Sequence, residues 1–324
     1  MTEKVMFPHV FDSSMLASFR SCQQKGFLTY MEHWKPKFES VHLVAGAAFA
    51  KGLEVARESY YANGLSTEDS VALGLHALIE SYGNYEPIID TAKTLDRMMG
   101  AFEFFMTAYP LGQDGFEPAK FDSGKLGIEF SFAEPLEINH PITNQPIIYA
   151  GRCDMIGLFA DGYYVEDDKT TTSLGASWSK QWELRSQFTG YAWAAKHRLG
   201  LDIQGALIRG VSILKTKYDT QQVMTYRPNW EIDRWYEQVH RDIKRLITSW
   251  EEEYFDYNLD SACGEYGGCS FNQICKSQTP ERWLPEYFDK RVWDPIGRKE
   301  VAVNDWQDFW QPKQLTSGEE NGTT

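Results

Sequence analysis

Long apolar runs are missing from this chain. A membrane-spanning helix needs about 18 or more consecutive apolar residues, and the longest candidate, Val44 to Ala50, falls far short. No membrane association is expected. The opening MTEKVMFPHV lacks the basic start and apolar stretch of a secretory signal, so the expected location is cytoplasmic. Cysteine is scarce and odd in number: five residues without an export signal do not make a disulfide framework. Basic residues are outnumbered, 32 against 46 acidic ones, for a net charge of −14. That balance argues against broad attraction to nucleic acid or anionic lipid, although it leaves room for a local basic groove.

Aromatic residues are plentiful. Eleven Trp, 17 Tyr and 19 Phe can bury a large core without disulfides. A composition of 42% hydrophobic and 24% charged residues excludes a disordered, collagen-like or coiled-coil chain. The 324 residues correspond to about two domains at roughly 150 residues each.

Helical spacing runs first. Residues 13–32 carry Met15, Leu16, Phe19, Cys22, Phe27 and Leu28 at helical intervals behind the candidate caps Ser13 and Ser14. Further helices are expected near 42–61, 67–84 and 88–108. After Pro110 the pattern changes: residues 126–133, 146–159 and 162–171 are rich in β-branched and aromatic residues between Gly, Pro and Asn, and read as strands. A long helix is expected over about 177–199, strands over 203–214 and 221–227, and a helix near 229–255. Residues 256–312 show little periodicity, and the polar tail reads as disordered.

The most informative stretch is Gly151-Arg-Cys-Asp154-Met-Ile-Gly157 with Glu166-Asp167-Asp168-Lys169-Thr170. Residues two apart on a strand share a face, so Asp167 and Lys169 point one way, Glu166 and Asp168 the other. A hairpin through Ala160-Asp161-Gly162 would set Asp154 beside Asp167. Two carboxylates and an adjacent backbone carbonyl are hard oxygen ligands suited to Mg²⁺ or Mn²⁺. A lysine there would meet the metal-bound water and the phosphate it attacks. The same pattern also fits a solvated acidic hairpin closed by one salt bridge. On the following helix, Gln187 and Tyr191 lie four apart on one face, able to hold the lysine or a DNA phosphate, or simply to join Leu184, Phe188 and Ala195 in a core stripe.

Taken together, these motifs resemble the PD-(D/E)XK nuclease superfamily, in its RecB-type branch of AddB-like and phage exonucleases. Asp154 matches the acidic residue after the Gly, Asp167-x-Lys169 the (D/E)-x-K signature, and Gln187-x-x-x-Tyr191 the helix motif. Glu129 in GIEFSF matches the acidic residue of the first core strand. The likeness extends to Ser14–Cys22 and to Gly46-Ala-Ala-Phe49-Ala50-Lys-Gly-Leu53-Glu54, and covers most of residues 12–290. One position departs: many relatives carry a metal-binding His where this chain has Ala50. Glu54, one turn further on, or Glu129 would compensate. His42 is out of phase with Ala50 and reads as a surface or packing histidine.

The remaining cysteines form Cys263-x₅-Cys269-x₅-Cys275 in a Gly-rich segment, a pattern that suits a soft metal centre and also fits three buried free thiols. The resemblance implies a fourth ligand, Cys22, and a 4Fe–4S cluster, with zinc as the alternative. Joining Cys22 to Cys275 would close a loop of roughly 250 residues, making the cluster a structural clasp. Cys153 is expected in the core. Lys180, Arg185, Lys196, Arg198, Lys215 and Lys217 are candidate backbone contacts, and Trp178, Trp182 and Trp193 candidate stacking or core residues.

The expectation is therefore an α/β protein with a restriction-endonuclease-like core, a central mixed sheet flanked by helices. Residues 1–115 would form an N-terminal helical region, 116–255 the nuclease core, 256–312 an Fe–S cap packing back on the N-terminal helices, and 313–324 a disordered tail. The implied function is a Mg²⁺- or Mn²⁺-dependent DNA exonuclease acting on single- or double-stranded ends, in phage or bacterial recombination, replication or repair. A recombination or single-strand-binding protein is the implied partner, and a bacterial cytoplasm the implied setting. Two rivals remain: a catalytically silent protein of this fold that binds DNA ends or a recombination partner, and a zinc-stabilised interaction protein.

Overall fold

The computed structural model describes residues 5–87, 89–160, 162–259, 262–264 and 268–302. The expected tail at 313–324, and the cap beyond 302, lie outside the described residues. The chain divides into two compact units, one of residues 1–37, 139–145 and 244–324 and the other of residues 38–138 and 146–243.

The larger unit is a mixed sheet between helical layers. Its strands are β3 (Phe116–Pro118), β4 (Ile128–Asn139), β5 (Pro146–Phe159), β6 (Gly162–Thr171), β7 (Ile203–Ile213) and β8 (Tyr218–Tyr226). β5, β6, β7 and β8 lie in that order, with β3 and β4 both on β5. β5–β6 and β7–β8 are antiparallel, whereas β6–β7 is parallel. A parallel neighbour needs a crossover, supplied by the segment with α6 (Ala176–Lys180) and α7 (Ser186–Leu199).

On one face pack α3 (Val41–Arg57), α4 (Thr67–Tyr82) and α5 (Leu95–Ala108), started by side-chain caps from Ser40, Ser66 and Thr94. Phe49, Leu53, Phe102 and Phe105 from these helices bury against Val211 and Ile213 of β7. Each such side chain contributes roughly 1.5–3 kcal/mol by leaving water. α3 and α4 approach so closely that a Cβ on Gly74 would lie 2.6 Å from the Gly52 carbonyl oxygen.

The expected helix over 177–199 is interrupted. Residues 182–185 close short turns, Trp182 N–H to Ser179 O at 3.2 Å and Arg185 N–H to Trp182 O at 3.3 Å. The buried Arg227 guanidinium takes the Trp182 carbonyl at 2.8 Å, diverting it from a continuous helical ladder. Leu184 is consequently 71% exposed and does not join the Phe188–Tyr191 core stripe. Trp178 and Trp182 are buried core residues.

In the smaller unit lie β1 (Val10–Phe11), α1 (Ser13–Ser21), α2 (Gln23–Gly26), a π-helical turn (Phe27–Met31) and β2 (Trp34–Pro36). Asp12, not Ser13 or Ser14, caps α1 by accepting from Met15 N–H at 2.7 Å. The helix expected through residue 32 breaks at Cys22, whose backbone is extended. α8 (Asn229–Glu251) precedes the C-terminal segment, which holds α9 (Asn272–Cys275), α10 (Pro280–Tyr287), β9 (Phe288–Asp294) and β10 (Lys299–Ala302). β9 lies between β2 and β10 in an antiparallel sheet. Leu28 packs with Phe271, Ile274, Leu284 and Phe288.

Candidate active site

β5 and β6 form the expected hairpin, in register Met155↔Glu166 and Ile156↔Val165. Asp154 thus stands beside the Asp167–Asp168 peptide, and its Oδ2 accepts the Asp168 N–H at 2.8 Å. Lys169 Nζ is paired with Asp167 Oδ2. Alternation sends Asp167 and Lys169 to one face of β6 and Glu166, Asp168 and Thr170 to the other. On β7, Lys169 is opposite Gly210, whose missing side chain admits the Trp178 ring: a Cβ there would come within 2.4 Å of it.

Glu129 and Glu54 extend this cluster. Glu129 has a left-handed backbone, φ +48°, an uncommon conformation for a non-glycine residue inside a strand. Its carboxylate is paired with Arg152 Nε at 2.8 Å. Glu54, on α3, is paired with Lys51 at 2.7 Å. Burial pushes the Glu129 carboxyl up to about 8, with the Asp154 and Glu54 carboxylates adding to the rise. Burial also pushes Asp167 up to about 7, against the pull of Lys169 and with the Asp154 charge. Lys169 is raised: burial works against its charge, and Asp167 and Asp154 outweigh it.

Asp168 is divided between the two faces. Its amide holds Asp154, while its carboxylate points away and is paired with Arg57 Nη1 at 2.7 Å. Only its carbonyl is therefore left for a cation near Asp154 and Asp167. Arg57 Nη2 also meets Glu166 at 3.1 Å, and Glu166 meets Arg209 Nη1 at 2.9 Å, which in turn reaches Asp114 at 2.5 Å. The sequence reading missed Arg57, Arg209 and Asp114. The sole signal for the two arginines was their place at otherwise core-facing positions, Arg57 one turn after Leu53 and Arg209 between Ile208 and Gly210 in an apolar strand; Asp114 gave none.

On the α7 side, Gln187 Nε2 donates to Tyr191 Oη at 2.8 Å. Tyr191 is buried with its ring edge-on to Phe132. Among the candidate basic contacts, Lys196 is bound to Asn229, Arg198 to Glu134 and Lys215 to Asp90. His42 is exposed and Cys153 fully buried.

Cys22, Cys263, Cys269 and Cys275 line one cavity of the smaller unit, together with Lys25, Tyr257 and Phe271. Cys269 N–H donates to the Cys263 carbonyl at 3.0 Å, and Asn258 Nδ2 to the Ser21 carbonyl at 2.8 Å, fixing the C-terminal segment beside Cys22. The Cys275 thiol is pushed up to about 11 by burial and by the three other thiols.

Among the described residues, no three His, Cys, Asp or Glu side chains converge closely enough to hold a metal ion as they stand. The donor chemistry nonetheless fits in both places. Around Asp154 and Asp167, four carboxyl groups including Glu54 and Glu129 lie with Lys51, Arg152 and Lys169, and the burial and mutual repulsion that raise Glu129 and Asp167 are what a divalent cation would offset. Four thiols around one cavity are the soft donors that zinc or an iron–sulfur cluster takes.

A sequence profile of the PD-(D/E)XK nuclease superfamily matches residues 13–276. The chain belongs to this superfamily. The mixed sheet flanked by helices is the restriction-endonuclease-like core of these nucleases, and DNA is the substrate that such a nuclease fold implies. No curated protein matches the chain. Among solved structures it is similar to a candidate exonuclease from Eubacterium rectale, at 12% identity and a TM-score of 0.48, over 81% of this chain and 89% of that one. It is also similar to the protein SSO0001, at 14% identity and a TM-score of 0.25, over 69% of this chain and 82% of that one. Among the described residues, no helix of this PD-(D/E)XK protein is long and apolar enough to cross a membrane.

Proposed function

We propose that this protein is a RecB-type DNA exonuclease that hydrolyses phosphodiester bonds with Mg²⁺ or Mn²⁺, in phage or bacterial DNA recombination, replication or repair. The observation that carries the reading is the Asp168 N–H bond to Asp154 with Lys169 on Asp167, two acids and an amine on neighbouring strands.

Asp154, Asp167 and the Asp168 carbonyl hold the divalent cation, with Glu129 and Glu54 supplying charge in place of the histidine that Ala50 replaces. When bound, such a cation acidifies water and screens the charge developing on the phosphate. Lys169, kept as an ammonium by Asp167 and Asp154, orients the attacking water and stabilises that charge. The Gln187–Tyr191 pair positions the lysine or the substrate. Cys22, Cys263, Cys269 and Cys275 carry a 4Fe–4S cluster, with zinc as the alternative, that fastens the chain ends structurally.

Digesting end-labelled single- and double-stranded DNA with Mg²⁺, Mn²⁺ or EDTA tests the reading. Progressive shortening with either metal and none in EDTA is expected. Intact DNA under every condition would overturn catalysis. Ala50 favours the second reading, a silent DNA-end-binding or recombination-partner protein of the same fold. That reading predicts DNA binding without product, and binding that survives Asp167→Asn.

A further inference from the structure

Beneath the strand that carries the proposed ligands runs a buried chain of charges: Asp114, Arg209, Glu166, Arg57, Asp168. The Arg57, Arg209, Glu166 and Asp168 side chains are all at most 6% exposed. Arg209 is further fixed by Gln222 at 3.0 Å and by the Tyr109 ring. Such networks are poor sources of stability, because desolvating the charges offsets their attraction, and apolar residues of similar volume often do as well. What this one does contribute is geometry. It ends on Asp168, the residue whose amide holds Asp154.

We infer that Arg57 is a positioning residue: by gripping the Asp168 carboxylate from below, it fixes the residue whose N–H orients Asp154 and whose carbonyl is the proposed cation ligand. The inference rests on the reading of Asp154, Asp167 and that carbonyl as the cation's ligands. Arg57 acts through Asp168 and touches neither substrate nor metal. Outer partners of metal ligands have this influence generally, and losing one costs about 10- to 100-fold in metal affinity.

Two opposite signs separate this role from a simple field effect. Arg57 is a cation, so as a source of field it repels a divalent ion, and removing it would tighten metal binding. As a positioning residue its removal loosens binding. The test is Mn²⁺ titration of the full chain, read from the paramagnetic resonance of free Mn²⁺, for wild type, Arg57→Gln and Asp114→Asn. Asp114→Asn disturbs the far end of the same network without touching Asp168, so it controls for general loosening.

The expected result is an Mn²⁺ dissociation constant raised about tenfold or more in Arg57→Gln and held within about twofold in Asp114→Asn. If Arg57→Gln does not fold, Arg57→Lys takes its place. It keeps the charge but reaches one carboxylate instead of two, and is expected to weaken Mn²⁺ binding about threefold or more. Equal affinity in all variants, equal weakening in both network variants, or tighter binding without Arg57 would overturn the positioning role and leave the nuclease reading intact. A wild-type protein that binds no Mn²⁺ would instead overturn the metal-dependent reading, and the role of Arg57 with it.

Discussion

Lys169→Met removes one charge and keeps most of the side chain's apolar length, which makes it the sharpest probe of the β5–β6 site. Lys169 is held as an ammonium, raised by Asp167 and Asp154 beyond what burial takes away. In the proposed reaction its contribution is therefore an electric field and a hydrogen bond, not proton abstraction. Two unit charges about 4 Å apart at an effective dielectric of roughly 20 interact by about 4 kcal/mol. At about 1.4 kcal/mol per decade, the chemical step should slow on the order of 1000-fold. The side chain is 30% exposed, so folding should survive its loss. Removing the ammonium also leaves Asp167 easier to protonate, so Mn²⁺ must be kept saturating to isolate chemistry from metal affinity. The assay is single-turnover cleavage of end-labelled DNA, with the melting temperature measured in parallel. A folded, metal-saturated Lys169→Met protein cleaving within about threefold of wild type would refute the role assigned to the ammonium.

Three other outcomes are expected. Gly74→Ala places a methyl 2.6 Å from the Gly52 carbonyl oxygen and 2.8 Å from the Ala56 Cβ, and should lower stability by about 1–3 kcal/mol in denaturant titration. Cys22→Ser should abolish the visible absorbance of anaerobically purified protein while Cys153→Ser retains it; equal spectra would remove Cys22 from the proposed cluster. Lys93 is 3% exposed, and burial lowers it from 10.5 to about 8. Between those values the unfolded chain holds the extra proton, so stability rises with pH across that window, by about 3 kcal/mol at most, and Lys93→Met should flatten that rise in the melting temperature.

How much of this was legible from the residues depends on how local the signal is. The strands over 146–159 and 162–171 stand where alternation and flanking Gly and Pro put them. With them came the face shared by Asp167 and Lys169, because period two leaves a strand no other choice. Helix continuity was less legible. Spacing runs unbroken through Cys22 and through residues 181–185, yet both stretches leave the helix, the latter where Arg227, more than 40 residues away, takes the Trp182 carbonyl. β9 offered little signal because its partner β2 lies some 250 residues earlier. Pairing at that distance is specified by tertiary packing and leaves no local period to read.

The residues overlooked near the site share one physical cause. An arginine in a helix or strand is expected at the surface, since an unpaired buried guanidinium is prohibitively costly. Arg57 is buried because Glu166 and Asp168, 109 and 111 residues further on, point to it from the hidden face of β6. The alternation that identified Asp167 and Lys169 as one face also required Glu166 and Asp168 to share the other. Two adjacent carboxylates on the covered side of a central strand cannot stay unpaired. The demand for buried cations was therefore written in the sequence, and what was missing was their address. A motif of alternating charges on an interior strand thus carries two messages, one about the reacting face and one about the counter-charges that must lie behind it.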